Sequence, residues 1–266
     1  AGAILVRGRD LGGQVEALVN ELALVAAELD RAPAAAALAL RPPRIGLYQP
    51  WIASMDEGWT RWLLEQYEFP YKTVHNDDIR AGKLAEKFDV LIFPDMGARE
   101  IVRGRQEQRT RPEYRGGIGE DGVEAVREFV RVGGTLVFLG DSGELALEAM
   151  PLPVKNVLKD VPTSEFFCPG SLLRILVDNR HPVAYGMPAE ATVMFDNSPA
   201  FDLAPGFSYT EVRVIARYPN TNPLQSGWLR GPQYLFDRIT AAEVNYERGR
   251  VILLGPQVQF RAQPHG

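Results

Sequence analysis

Asp89-Val90-Leu91-Ile92-Phe93 and Thr135-Leu136-Val137-Phe138-Leu139 decide the fold. Each is a short, unbroken apolar run, the pattern of a strand covered on both faces, as strands in parallel sheets are. Working outward, Arg44-Ile45-Gly46-Leu47-Tyr48 and Tyr71 to Val74 read as further strands. Between them Ser54-Met55-Asp56-Glu57 has the capping-box form, a hydroxyl at the N-cap with Glu three residues on. The helix it opens puts Trp59, Trp62, Leu63 and Tyr67 on one face and stops at Pro70. Asp77 to Lys87 holds a short helix. Glu120 to Val132 is a longer one with Val123, Val126, Phe129 and Val130 inward, closed by Gly133-Gly134. Gly140-Asp141-Ser142 turns into a last short helix that Pro151 ends. Strand–helix alternation of this kind predicts an α/β fold, a mainly parallel sheet flanked by helices. The strands at 44–48, 71–74, 88–93 and 135–139 should then be parallel neighbours.

The pattern changes after residue 150. Short strands such as Leu173–Val177 and Val212–Arg217 lie between Pro- and Asn-rich turns, and Ala242–Tyr246 with Arg250–Leu254 reads as a hairpin turning at Glu247-Arg248-Gly249. These predict antiparallel additions in the C-terminal half. At the other end, Ala3-Ile4-Leu5-Val6 reads as a buried strand, and Val15, Leu18, Val19, Leu22, Val25, Ala26 and Leu29 form a helical stripe. The Ala-rich stretch from Arg31 to Pro43, interrupted by Pro, is the best linker. Two regions follow: an N-terminal strand–helix extension at 1–41 and a larger domain at 42–266, read as a piece of a longer polypeptide and truncated at its C-terminus.

Composition narrows the function classes. The chain has 266 residues, enough at roughly 150 per domain for one large domain or two modest ones. A net charge of −5 argues against nucleic acid as the main partner. The uncharged stretch Ala32–Leu40 is far too short to span a bilayer, which needs about 20 apolar residues. The single cysteine, Cys168, excludes an internal disulfide framework and a thiolate metal cluster.

The candidate chemistry sits at Leu139-Gly140-Asp141-Ser142-Gly143, because a sharp strand-to-helix turn lifts a side chain above the sheet at a helix N-terminus. A hydrolase or transferase would use Ser142 or Asp141 there, with His181 as a base. Glu144 stands where the G-x-S-x-G pattern needs its last glycine, however, and Asp141 and Ser142 are also ordinary helix caps. As caps, one of them should accept a hydrogen bond from a backbone N–H in the next turn. None of His75, His181 and His265 has zinc-ligand spacing. His181 lies in an Asn-Arg-His-Pro turn, and Cys168, beside Phe166 and Phe167, reads as a small buried hydrophobe. The glycines at 8–13 lack dinucleotide-loop spacing. The loop at 94–119, with Arg99, Arg103, Arg105, Arg109, Arg111 and Arg115, is interleaved with Glu100, Glu107 and Glu113 and reads as solvated. A small-ligand pocket would form at the carboxyl ends of the strands, lined by Trp51, Asp56, Asp95, Asp141 and Ser142.

Four groups of residues together carry a resemblance: Arg44 to Trp51 with Ser54 to Thr60; Pro112-Glu113-Tyr114-Arg115-Gly116-Gly117-Ile118-Gly119; Pro169 to Leu173 with His181 to Pro188; and Gln259 to Gln263 with His265-Gly266. In this order they resemble the C-terminal region of large bacterial zinc carboxypeptidase-like proteins of the carboxypeptidase A type. That region is similar to a class I glutamine amidotransferase-like, flavodoxin-like domain. The resemblance implies a non-catalytic accessory domain of an exported metallocarboxypeptidase, secreted or periplasmic. Such a domain would support or orient the parent's peptidase domain, or bind a peptide or glycan. It implies no cofactor in this chain, with zinc confined to the separate peptidase domain, whose H-x-x-E…H ligands match nothing here. Where the amidotransferase pattern has a cysteine, Gly140, Asp141 and Ser142 stand instead.

Overall fold

The computed structural model describes residues 4–6, 8, 12–31, 33–34, 40–105 and 110–262. Ala3, Arg109 and His265 lie outside them, as does most of the Ala-rich stretch. The chain divides into two compact units, Gly2–Pro42 and Pro43–Gly266.

In the small unit the helix α1 (Gly12–Glu21) is shorter than the apolar stripe predicts, and it buries no residue. Residues 24–29 are not helical, Val25 is fully exposed, and Ile4-Leu5-Val6 forms no strand. An amphipathic stripe yields a stable helix only where a core receives it, and among the described residues of this unit none is buried.

The large unit runs β1 (Ile45–Tyr48), α2 (Met55–Gln66), β2 (Tyr71–Val74), α3 (Asn76–Arg80), α4 (Leu84–Lys87), β3 (Val90–Phe93), α5 (Ala98–Arg103), α6 (Gly119–Arg131), β4 (Thr135–Leu139) and α7 (Gly143–Ala149). It continues through β5 (Val154–Asn156), β6 (Pro169–Val177), β7 (Glu190–Asp196), β8 (Phe201–Leu203), β9 (Val212–Arg217), β10 (Leu224–Ser226), β11 (Ile239–Tyr246) and β12 (Gly249–Leu254). The result is an α/β fold with one mixed sheet of 12 strands flanked by helices.

The four strands expected to be parallel neighbours are so: β2 pairs with β1, β1 with β3, and β3 with β4, all parallel. The fifth parallel strand, β12, joins β4 from the far end of the chain, with Leu254 beside Leu139. Spatially the parallel strands run β2-β1-β3-β4-β12. This is the doubly wound order in which the winding reverses between β1 and β3, leaving a crevice at their carboxyl ends.

The sheet is not mainly parallel, however. From β12 onward every pairing is antiparallel, through β11 to β9 and β8, and on to β6, β7 and β10. The hairpin β11–β12 makes the switch, turning at Glu247, whose φ of 51° is left-handed. Its short connection forces antiparallel pairing where a helical crossover would have continued the parallel set.

Alternate residues of the central strands feed two cores. Leu136, Phe138, Val251 and Leu253 pack with α3 to α7, whereas Val137, Ile252 and Leu254 face Phe166, Cys168, Leu173, Phe195 and Tyr218 of the antiparallel wing. Three helical expectations change. Asp77–Lys87 splits into α3 and α4 because Gly82 and Lys83 are left-handed. Part of the arginine-rich loop is helical, as α5. Trp62 in α2 and Tyr67 just after it are exposed, and the buried positions of the helix are Glu57 and Thr60. Glu57 is buried because it pairs with Arg61, and Thr60 because it accepts a 2.9 Å bond from Gln259 Nε2. Those polar bonds, rather than the aromatic face, seat the helix.

Candidate functional site

The crevice that the strand order creates is furnished by the segments just beyond the carboxyl ends of β1, β2, β3, β4 and β12. After β1 comes Trp51. Its indole stacks on His75, with ring centres 4.0 Å apart, and tilts against Tyr114 at 4.7 Å. His75 follows β2 and places Nδ1 2.9 Å from the Gln49 carbonyl. A carbonyl only accepts, so Nδ1 carries a proton.

Asp95 follows β3 and lies at the centre. Its Oδ1 accepts the Asp141 backbone N–H at 2.8 Å, and its Oδ2 accepts from the Gln257 side-chain amide beyond β12. Gly140 is required here, at φ +53°, because a Cβ would stand 2.2 Å from the Asp95 carboxyl group. Burial pushes the Asp95 carboxyl up to about 7, and the negative charges of Asp141 and Asp56 add to the push; the Asp141 N–H and the Gln257 amide oppose it. Asp56 and Asp141 are also raised, each chiefly by burial, with Asp196 adding at the first and Glu144 at the second. A hollow of about 300 Å³ opens beside the elbow, lined among others by Gly97, Asp141, Glu144, Asn156, Lys159 and Asn197. Lys159 bridges Glu144 and Glu148, and Asn156 donates to Glu144 at 2.8 Å.

Ser142 is completely buried. Its hydroxyl donates backward, at 2.7 Å to the Leu139 carbonyl and 3.1 Å to that of Phe93. The expected cap therefore does not form: α7 has no side-chain N-cap bond, and Ser142 ties the turn to β3 and β4 instead. Asp141 is the residue at the elbow that solvent reaches.

His181 lies elsewhere. It caps the 3₁₀ turn Pro182–Ala184, with Nδ1 accepting the Val183 N–H at 3.3 Å, and its nearby carboxylate is Glu243. Cys168 is buried in the antiparallel core, and burial pushes its thiol up. Of the sequence-named residues, Asp56 and Asp141 are thus each within electrostatic reach of Asp95; Ser142 is buried in the turn below Asp141, and Trp51 belongs to the aromatic group with His75 and Tyr114. Sequence marks neither Gln257 nor Asp196: Gln257 follows β12 and Asp196 ends β7, both far along the chain from β1–β4, and no local motif singles them out. Among the described residues, no three His, Cys, Asp or Glu side chains are grouped to hold a metal ion, and no helix is long and apolar enough to cross a membrane.

No family model matches the chain, and no curated protein matches it. Solved structures do resemble it. A cytoplasmic protein from Salmonella typhimurium is 12% identical over 80% of this chain and 87% of that one, with a TM-score of 0.48. A protein described as ThuA-like, from Bacteroides uniformis, is 12% identical over 86% of this chain and 88% of that one, at 0.42. A β-galactosidase from Bacillus circulans is 13% identical over 82% of this chain at 0.47, and the match spans 29% of the enzyme.

Proposed function

We propose that residues 43–262 form a class I glutamine amidotransferase-like, flavodoxin-like domain whose elbow is chemically silent, and that it binds a ligand rather than transforming one. One observation carries the reading: the hydroxyl that would be the nucleophile is buried and bonded to two carbonyls. A working elbow needs an exposed nucleophile, a base within about 3 Å and oxyanion donors. The ligand would lie in the crevice between the ends of β1 and β3, against Trp51, Asp56, Asp95 and Asp141. We further read the domain as the accessory part of an exported zinc metallocarboxypeptidase, supporting or orienting the peptidase or holding its peptide or glycan substrate. Zinc would belong to the separate peptidase domain. The motifs at 44–51 with 54–60, 112–119, 169–173 with 181–188, and 259–263 with 265–266 support this step.

A second reading, a hydrolase built on Asp141, has one observation in its favour: Asp95 keeps its proton to near neutral pH beside a second carboxylate. Such a pair can divide acid and base roles. Two measurements separate the readings. A fluorophosphonate probe and a panel of ester, amide and glycoside substrates should give no Ser142 adduct and no turnover; turnover abolished by Asp141→Asn would establish the hydrolase. The reading frame around this chain should encode an H-x-x-E…H ligand set, and its absence would refute the peptidase link.

A further inference from the structure

Glu243 lies within β11 at 3% exposure, a carboxylate among mostly apolar neighbours of its strand. Three basic groups surround it. Arg213, its cross-strand partner on β9, donates through Nη1; Arg250 on β12 stands 3.8 Å away, and His181 Nε2 is at the same distance. Over this group opens a cavity of about 450 Å³ lined by Asp178, Arg180, His181, Arg213 and Val214. It is not the crevice described above. Arg250 pairs with Thr135, the first residue of β4, so the group sits toward the amino end of the parallel strands.

The tautomer of His181 is fixed by its neighbour. A backbone N–H donates to Nδ1, so that nitrogen accepts and the proton is on Nε2. Nε2 is buried and has no hydrogen-bond partner among the described residues. At 3.8 Å, Glu243 Oε2 is too far to accept from it. A buried donor without an acceptor is uncommon in folded proteins and calls for an explanation, such as a bound group that supplies one.

The charges say which kind of group. Asp178 and Glu243 are set against Arg180, Arg213 and Arg250, which leaves one positive charge in excess. Arg180 gives Nε to Asp178 and Arg213 gives Nη1 to Glu243. A guanidinium has five N–H donors in a planar fork suited to oxyanions.

We propose that the cavity formed by Asp178, Arg180, His181 and Arg213 is a binding site for a small oxyanion, a phosphate or carboxylate group, separate from the β1/β3 crevice. The anion's oxygens would take the His181 Nε2–H and donors of Arg180 and Arg213, on the side of the guanidinium groups away from Glu243.

The test follows the imidazole signals of the whole chain by NMR while inorganic phosphate or acetate is added, with chloride at equal ionic strength as control. His181→Gln identifies the signal by its loss. We expect a saturable shift of the His181 signal with phosphate, acetate or both, and the stronger of the two indicates the source of the oxyanion. Arg180→Glu changes a side chain that is 88% exposed, so the fold should persist, and affinity should fall about tenfold or more. A shift no larger than chloride produces, or equal affinity in Arg180→Glu, would overturn the proposal.

Discussion

Two partly or fully buried carboxyl groups, Asp95 and Glu243, sit in the two halves of one sheet and are treated in opposite ways. In the antiparallel wing Glu243 is met by Arg213 across the strand and by Arg250 and His181 nearby. At the carboxyl ends of the parallel strands Asp95 is given only neutral donors, an amide of the backbone and one of Gln257, with Asp141 and Asp56 adding like charge. The first arrangement keeps a carboxylate by pairing it. The second makes the charged form expensive and keeps a proton instead. The unpaired carboxyl follows β3, where the strands end in a crevice; the paired one lies within β11 of the wing.

The largest expected effect breaks the comparison at Asp95. Unfolded, its carboxyl titrates near 3.8; folded, near 7. The folded state therefore binds the extra proton between these values. The stability it contributes is complete below pH 4 and is lost as pH rises to 7. Asp95→Asn cannot lose it: the amide oxygen still accepts from Asp141, and the NH₂ can donate to a turned Gln257. Denaturant unfolding should show the variant gaining on the wild type from pH 4 upward and levelling off above pH 7, by at most about 4 kcal/mol at 1.36 per unit. A difference independent of pH would remove the case for a protonated Asp95.

The next effect tests the other side. Removing Arg213 as Arg213→Met leaves Glu243 buried with Arg250 at a distance. Arg213 is itself half exposed, so the cost is that of leaving the buried Glu243 without its closest donor, about 2 kcal/mol, and the double change with Glu243→Gln should restore most of it. If the two single costs simply add, the pair is not coupled. His181 in the same group gives a pH signature. Its pKa is lowered by burial first and then by Arg213, against Glu243 and Asp178, which raise it. A depressed histidine contributes stability above its unfolded value of about 6.5 that is lost as pH falls through it. His181→Gln should flatten the acid limb below pH 6.5.

Much of this contrast could not be read from sequence. The parallel half was legible because Val90–Phe93 and Thr135–Leu139 are unbroken apolar runs, and such runs have one good home, the middle of a covered sheet. The strand Val212–Arg217 and the β11–β12 hairpin were legible as elements. The pairing of β9 with β11 was not, because Glu243 meets Arg213 only through a strand register that no local pattern encodes. The elbow was found by its strand–turn–helix form, yet its key atom was misjudged. Ser142 looked like a cap, which accepts from an N–H ahead of it; its hydroxyl instead donates backward, to Leu139 three residues before it and to Phe93 on β3, 49 residues away. In α2 the capping-box signal gave the Ser54 bond to the Glu57 N–H at 3.1 Å, but Glu57 is drawn to Arg61, a choice set by burial.

The smallest effect sharpens the comparison at the elbow itself. Ser142→Ala removes a hydroxyl that donates to the Leu139 and Phe93 carbonyls at 2.7 and 3.1 Å and fills a completely buried position. Alanine leaves at least one carbonyl short of a donor, where water does not reach, so unfolding should cost about 1–2 kcal/mol less than in the wild type. Glycine would cost more, because it also frees the backbone of a tight turn. Neither change touches the exposed face of Asp141. Binding in the crevice should therefore be unaltered in Ser142→Ala at temperatures where it remains folded, while Asp141→Ala, with little effect on stability, should weaken it. Weakened binding in Ser142→Ala with an intact fold would mean that the hydroxyl, not the carboxyl pair, faces the ligand.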